Sequence, residues 1–319
     1  MKKALTLLVF ALLLLLPLGI HSRYFLHICI LIFFFGYLAT CWNILGGLAG
    51  QHSFGHAIFV GVGAYTSSLL FANLGVSPWL GMLGGGLIAA IIGIFIGYLC
   101  FRYGLRGPYF LLVTIAFGEV FVYAALNIRA VGGGSGITVP LLGNAPSFFQ
   151  FQGKAPYYYI ILAMAAGAIL VTLAIQRSRI GYYLIAIREN ENAAQALGIH
   201  LLRYKLLALS ISAFLSALGG TFYAQYFFFI DPPSTLGLGL SIEIVIYAIV
   251  GGVGTLLGPI CGAFLLVPIS EATRILFAGQ TGGIHLMVYG VILVVSVIFM
   301  PGGIVRYISR ISWGRFIFG

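Results

Sequence analysis

Ten runs of apolar residues, near 5–20, 24–45, 57–72, 79–100, 109–127, 157–175, 206–229, 240–254, 256–272 and 284–300, constrain this chain more than any other feature. Several reach the ~20 residues needed to cross a hydrocarbon core of about 30 Å. Lipid offers no partner to a backbone N–H or C=O, so each run must satisfy its own hydrogen bonds and is read as a helix, not an open strand. The expected fold is all-α: a polytopic transmembrane helical bundle of about ten spans, eight at the fewest, making a single domain over 1–319. Two places depart from simple crossings. Run 57–72 is short, and the pair from 240 to 272 is interrupted by Gly251, Gly252, Gly254, Gly258 and Pro259, so either is a candidate re-entrant segment.

Charged residues are 7% of the 319, against about 25% in soluble domains. The net charge of +10 comes from 16 Lys and Arg against 6 acids. In a soluble protein that excess suggests nucleic acid. Here the basic residues stand between apolar runs, where they set orientation and meet anionic headgroups, so the expected contact is membrane lipid and not nucleic acid. With the N-terminus inside, Lys2, Lys3, Arg102, Arg106, Arg177, Arg179, Arg188, Arg203, Lys205, Arg306, Arg310 and Arg315 are cytoplasmic, and Arg23, Arg129, Lys154 and Arg274 are outside. That asymmetry favours cytoplasmic N- and C-termini and a cytoplasmic loop at about 176–205. Met1–Ile20 lacks an A-x-A-like cleavage site and reads as a retained helix. Cys29, Cys41, Cys100 and Cys261 lie in apolar runs without C-x-x-C spacing and read as packing residues.

The 176–205 loop contains the most polar stretch of the chain, IRENENAAQALGIH at 187–200. A helix is expected over Glu189–Leu197, with Ala193, Ala194 and Leu197 on one face and Glu189, Glu191 and Gln195 displayed elsewhere. Gly198 suits the position that ends a helix in left-handed conformation. About nine residues are marginal alone in water, so this helix needs something to pack against. An alanine face with acids fits a protein groove better than an anionic membrane surface; an ordinary solvated loop is the alternative.

The pattern R-E-N-E-x-A-A-x-A-L-G-I at Arg188–Ile199, followed by R-Y-K at Arg203–Lys205, resembles the E-A-A-type cytoplasmic loop of bacterial ABC importer permeases. G-x-A-G-Q-x-S-F-G-H-A at Gly47–Ala57, G-V-G-A-Y-T at Gly61–Thr66, R-G-P-Y-F at Arg106–Phe110, S-I-E-I-V at Ser241–Val245 and G-G-V-G-T-L-L-G-P at Gly251–Pro259 narrow the resemblance to the branched-chain amino acid permease family, its LivM branch. The resemblance covers about residues 24–300. It implies an importer subunit in a bacterial inner membrane, paired with a second, homologous permease subunit, two cytoplasmic ATP-binding subunits and a periplasmic or lipid-anchored substrate-binding protein. In that setting Arg188, Glu189, Asn190, Glu191, Ala193, Ala194, Leu197 and Gly198 form a coupling loop for the ATPase. The chain has no G-x-x-x-x-G-K-[ST] phosphate loop, since Gly153-Lys154 lacks both the earlier glycine and the following hydroxyl. ATP hydrolysis is therefore expected on partners, and no cofactor is called for.

Glu119 lies near the middle of run 109–127, where a lipid-exposed acid costs roughly 2.5–3.5 kcal/mol, so it must face protein or water. Glu243 begins a span, two turns before the glycine break. Helix interruptions at Gly46–Gly55 and Gly251–Gly254 free backbone groups that can meet a zwitterion without charged side chains. Gln51, Ser53, His56, Glu119, Glu243, Gly251, Gly252 and Gly254 are thus candidate translocation-path residues; the competing explanations are close helix packing for the glycines, a hydrogen bond between helices for Glu119 and an interfacial or packing acid for Glu243. His52 and His56 sit at i and i+4 but have no acid or cysteine beside them, so no metal site is expected. The expected cargo is leucine, isoleucine or valine. The rivals are a permease for urea or short amides and, less favoured, an ion-coupled secondary transporter using Glu119 and Glu243.

Overall fold

The computed structural model describes residues 13–17, 22–276, 287, 290, 291, 294 and 302–310. The expected first and last spans, 5–20 and 284–300, lie largely outside these residues, as do Lys2, Lys3 and Arg315. The long helices are α1 (Arg23–Asn43), α2 (His56–Leu74), α3 (Pro78–Arg102), α4 (Pro108–Asn127), α5 (Ala155–Arg177), α8 (Leu201–Phe227), α10 (Leu238–Gly251) and α11 (Gly258–Leu276). Shorter ones are α6 (Arg179–Glu189), α7 (Glu191–Ala196), α9 (Pro232–Leu236) and α12 (Gly303–Arg310). Two-residue strands β1 (Ile137–Thr138) and β2 (Phe229–Ile230) pair antiparallel.

Seven segments among the described residues are long and apolar enough to cross a membrane: Arg23–Leu48, His56–Leu74, Pro78–Arg102, Pro108–Asn127, Ala155–Arg177, Leu201–Phe227 and Pro232–Gly251. That is fewer than the ten expected. Two of the remaining three lie largely outside the described residues, and the third forms α11. Run 57–72 gives an unbroken helix, because α2 gains its first turn from His56 and ends in a left-handed Gly75.

The chain divides into two compact units, one comprising 1–40, 153–169 and 246–319, the other 41–152 and 170–245. In the second, α2, α3 and α8 pack along lines of small residues. A Cβ added to Gly63 or Gly220 would collide with the Ala217 or Val60 backbone, and one added to Gly85 would stand 3.1 Å from the Gly63 Cα. Lipid gives no hydrophobic drive for helices to associate, so such close backbone approach supplies the dispersion contacts that hold them together. In the first unit, the 252–257 turn between α10 and α11 is the expected glycine break. Gly252 and Gly254 take φ of 127° and 78°, which only glycine adopts freely.

Within the second unit, α1 leaves regular geometry in a π turn, Ile44–Leu48, followed by an irregular stretch to Gly55. This is the interruption expected at Gly46–Gly55. Trp42 closes it, its Nε1–H donating to the Ser53 carbonyl at 2.7 Å. At the opposite end, the 128–152 connection is ordered: Gln150 is buried, donates to the Pro140 carbonyl and accepts from the Leu142 N–H, both at 2.7 Å, and Trp79 stacks on Phe149.

Candidate functional site

The polar stretch folds as two helices, not the one expected over Glu189–Leu197. Asn190 is extended, at φ −160° and ψ 108°, and its Oδ1 accepts from the Ala193 N–H at 3.0 Å. It is an N-cap: a short side-chain acceptor that satisfies one of the free donors at the start of α7. Asn190 thereby ends α6 and starts α7 in a new direction. At the other end Gly198 takes φ of 83°, with its N–H on the Gln195 carbonyl and the Ile199 N–H on that of Ala194. This is the left-handed stop read from the sequence.

The faces of α7 differ from expectation too. Ala194 is buried, whereas Ala193, Gln195, Ala196 and Leu197 are exposed, Leu197 at 81%. Glu191 turns inward, its side chain only 13% exposed. Oε1 accepts from Lys205 Nζ at 2.5 Å and from Gln51 Nε2 at 3.1 Å. Arg106 Nε lies 2.8 Å from Oε2 as an ion pair, and Arg106 Nη1 donates to Asn192 Oδ1 at 3.2 Å. Lys205, one turn into α8, has a side chain 4% exposed and holds its ammonium 5.3 Å from the centre of the Phe101 ring. Removing one member of so enclosed a pair leaves a buried charge unanswered, a cost of about 3–5 kcal/mol. Arg188 donates to the Gly47 carbonyl at 3.0 Å and pairs with the exposed Glu189 at 2.7 Å.

The structure thus joins Gln51, taken from the sequence as a path residue, to the polar stretch. Arg106, Asn192 and Lys205 were not singled out for this. The available signal was a lone lysine one turn inside an apolar span, which needs an acid partner from a chain holding only six.

The other expected path residues are scattered. His56 is fully buried. The Ser212 hydroxyl donates to the Cys41 carbonyl at 2.6 Å, so it must accept from His56 Nε2 at 2.7 Å. That fixes the Nε2–H tautomer and leaves Nδ1 a bare buried acceptor among the described residues. His52 stacks on Trp42 at 5.7 Å. Ser53 borders a cavity of about 10 Å³ beside Phe59, Ile96, Phe110 and Thr114, room for roughly one water. Glu119 is half-buried midway along α4, with no hydrogen-bond or ion-pair partner among the described residues. Glu243 is half-buried on α10. Gly251, Gly252 and Gly254 belong to the other unit.

Seven helices long and apolar enough to cross a membrane, among the described residues, together with the short polar helix α7, define a multi-pass α-helical membrane protein. The chain belongs to the family described as branched-chain amino acid transport system / permease component, which it matches over residues 24–297. It is 29% identical over 285 residues to LivM, a high-affinity branched-chain amino acid transport system permease protein of Escherichia coli (strain K12), covering 82% of this chain and 65% of LivM. The chain therefore spans slightly under two thirds of that relative. It is 24% identical over 247 residues to LivH, a high-affinity branched-chain amino acid transport system permease protein of Salmonella typhimurium, covering 72% of this chain and 78% of LivH. It is also 29% identical over 197 residues to the autoinducer 2 import system permease protein LsrC of Klebsiella pneumoniae, covering 60% of this chain and 54% of LsrC. No solved structure matches.

Proposed function

We propose that this chain is a transmembrane permease subunit of an ABC importer that moves leucine, isoleucine and valine across a bacterial inner membrane. It works with a homologous permease subunit, two cytoplasmic ATPases and a substrate-binding protein. The exposed side of α7 is the ATPase docking surface. One observation carries this reading: in a chain of the permease family, Leu197 stands 81% exposed at the tip of a helix whose other face is pinned to the bundle. On a short helix whose other face is held by the bundle, that side chain is placed to enter a groove on a partner, as in helix-in-groove recognition. The same end of the second unit bears Arg102, Arg106, Arg177, Arg179, Arg188, Arg203 and Lys205, the opposite end Arg129, which supports a cytoplasmic α7. Substrate passes along glycine-interrupted segments, where free backbone groups meet the two charged ends of an amino acid.

Liposomes test this directly. The chain assembled with its partners takes up radiolabelled leucine when ATP and binding protein are supplied, excess isoleucine and valine compete, and urea or acetamide do not. Uphill uptake by the chain alone under an ion gradient would overturn the reading. Competition by urea would keep the class and change the cargo.

A further inference from the structure

We infer that Glu191 is not an ATPase contact but the positioning residue of an internal linkage, the point through which movement of α7 reaches α8 and the connections that adjoin α1, α3 and α4. The inference rests on the reading of α7 as the docking helix and concerns what lies behind it. One carboxylate gathers Lys205 from the start of α8, Arg106 from the connection between α3 and α4, and Gln51 from the stretch that follows α1. A second tie runs beside it, from Arg188 to the carbonyl of Gly47 inside the π turn. Single π turns are rare interruptions of regular helix and are frequent at functional sites. The outward residues, Ala193, Gln195, Ala196 and Leu197, have no share in these bonds, so docking and linkage use opposite faces of the same six-residue helix.

Such a helix cannot keep its own shape in water, and bonds to the bundle must hold it. The bond from Lys205 is charge-assisted and its donor buried, and such a bond is short and strong, so it gives little when the helix is pushed. A load applied at Leu197 therefore passes to α8, the α3–α4 connection and the end of α1 through Glu191.

The test replaces Glu191 and Lys205 together by Met. Exchanging a buried ion pair for apolar side chains of similar size preserves folding far better than removing one partner. Arg106 is half exposed and can turn to water, and Gln51 keeps its bond to the Ala49 carbonyl at 3.2 Å. In the full complex in liposomes, this double variant copurifies with the ATPases at the wild-type level, while substrate taken up per ATP hydrolysed falls at least tenfold. Leu197→Asp behaves oppositely: the ATPases are lost from the complex. An unchanged uptake ratio in the double variant overturns the inference, and so does loss of the ATPases from a folded double variant. Should the double variant not fold, Arg106→Gln severs one tie at a half-exposed site and lowers the ratio at least twofold; an unchanged ratio there is equally decisive against the linkage. If the wild-type chain never binds ATPases, the proposed function fails first, and that outcome is seen in a different sample.

Discussion

Arg188 donates from Nη1 to the carbonyl oxygen of Gly47 at 3.0 Å, tying the polar 187–200 stretch to the π turn that ends α1. Gly50 allows the approach: its φ is 68°, and a Cβ there would stand 2.7 Å from Arg188 Cγ. Gly47 is buried, so its carbonyl depends on protein donors. Arg188→Met keeps much of the side chain's apolar length and removes the donor. It should lower the stability of the purified chain by about 1–3 kcal/mol, read as an earlier thermal transition in detergent. An unmoved transition would mean that water replaces the guanidinium.

Neighbouring glycines of α3 should respond in opposite ways. A Cβ at Gly84 would meet nothing within 4 Å, whereas one at Gly85 would press on the Gly63 Cα at 3.1 Å. Gly84→Ala is expected to be neutral, or stabilising by up to about 1 kcal/mol from helix propensity. Gly85→Val forces α2 and α3 apart and should cost about 1–3 kcal/mol or more, because the obstacle is backbone. Melting both variants beside the wild type checks the pair; equal behaviour would deny that α2 and α3 touch there.

Gly198 is left-handed with open space around it, so a substitution there meets only backbone strain. Gly198→Val should cost about 1–2 kcal/mol at the tip of α7 and reduce recovery of ATPase partners, while membrane insertion stays normal. Gly198→Asn, which tolerates this conformation, should retain most of the recovery. Pull-down from solubilised membranes at matched expression separates the two, and equal recovery of Val and Asn variants would remove Gly198 from the docking geometry.

Glu119 has no hydrogen-bond or ion-pair partner among the described residues and stands midway along an apolar span, where a lipid-exposed acid is costly. Glu119→Gln should leave folded yield unchanged and reduce uptake several-fold at matched expression. Wild-type uptake would release Glu119 from any part in the path.

Fold class was legible without coordinates because the bilayer acts on every residue of a span alike: twenty apolar residues in lipid have no stable choice but helix. The glycine break after Gly251 and the stop at Gly198 were legible for a related reason, since a left-handed backbone is a property of one residue. The direction of Glu191 was not. Helical spacing from Glu189 put it on the displayed side, and Asn190 breaks that spacing by capping a new helix, so the periodicity belonged to no single element. Which residues would receive its carboxylate was beyond local pattern altogether. Gln51, Arg106 and Lys205 stand in separate segments, and only the packing of α2, α3 and α8 across their glycines brings those ends to one point. Sequence alone determined what the lipid and the single-residue backbone demand; tertiary structure decided which charges meet, because pairing depends on distances that no stretch of chain contains.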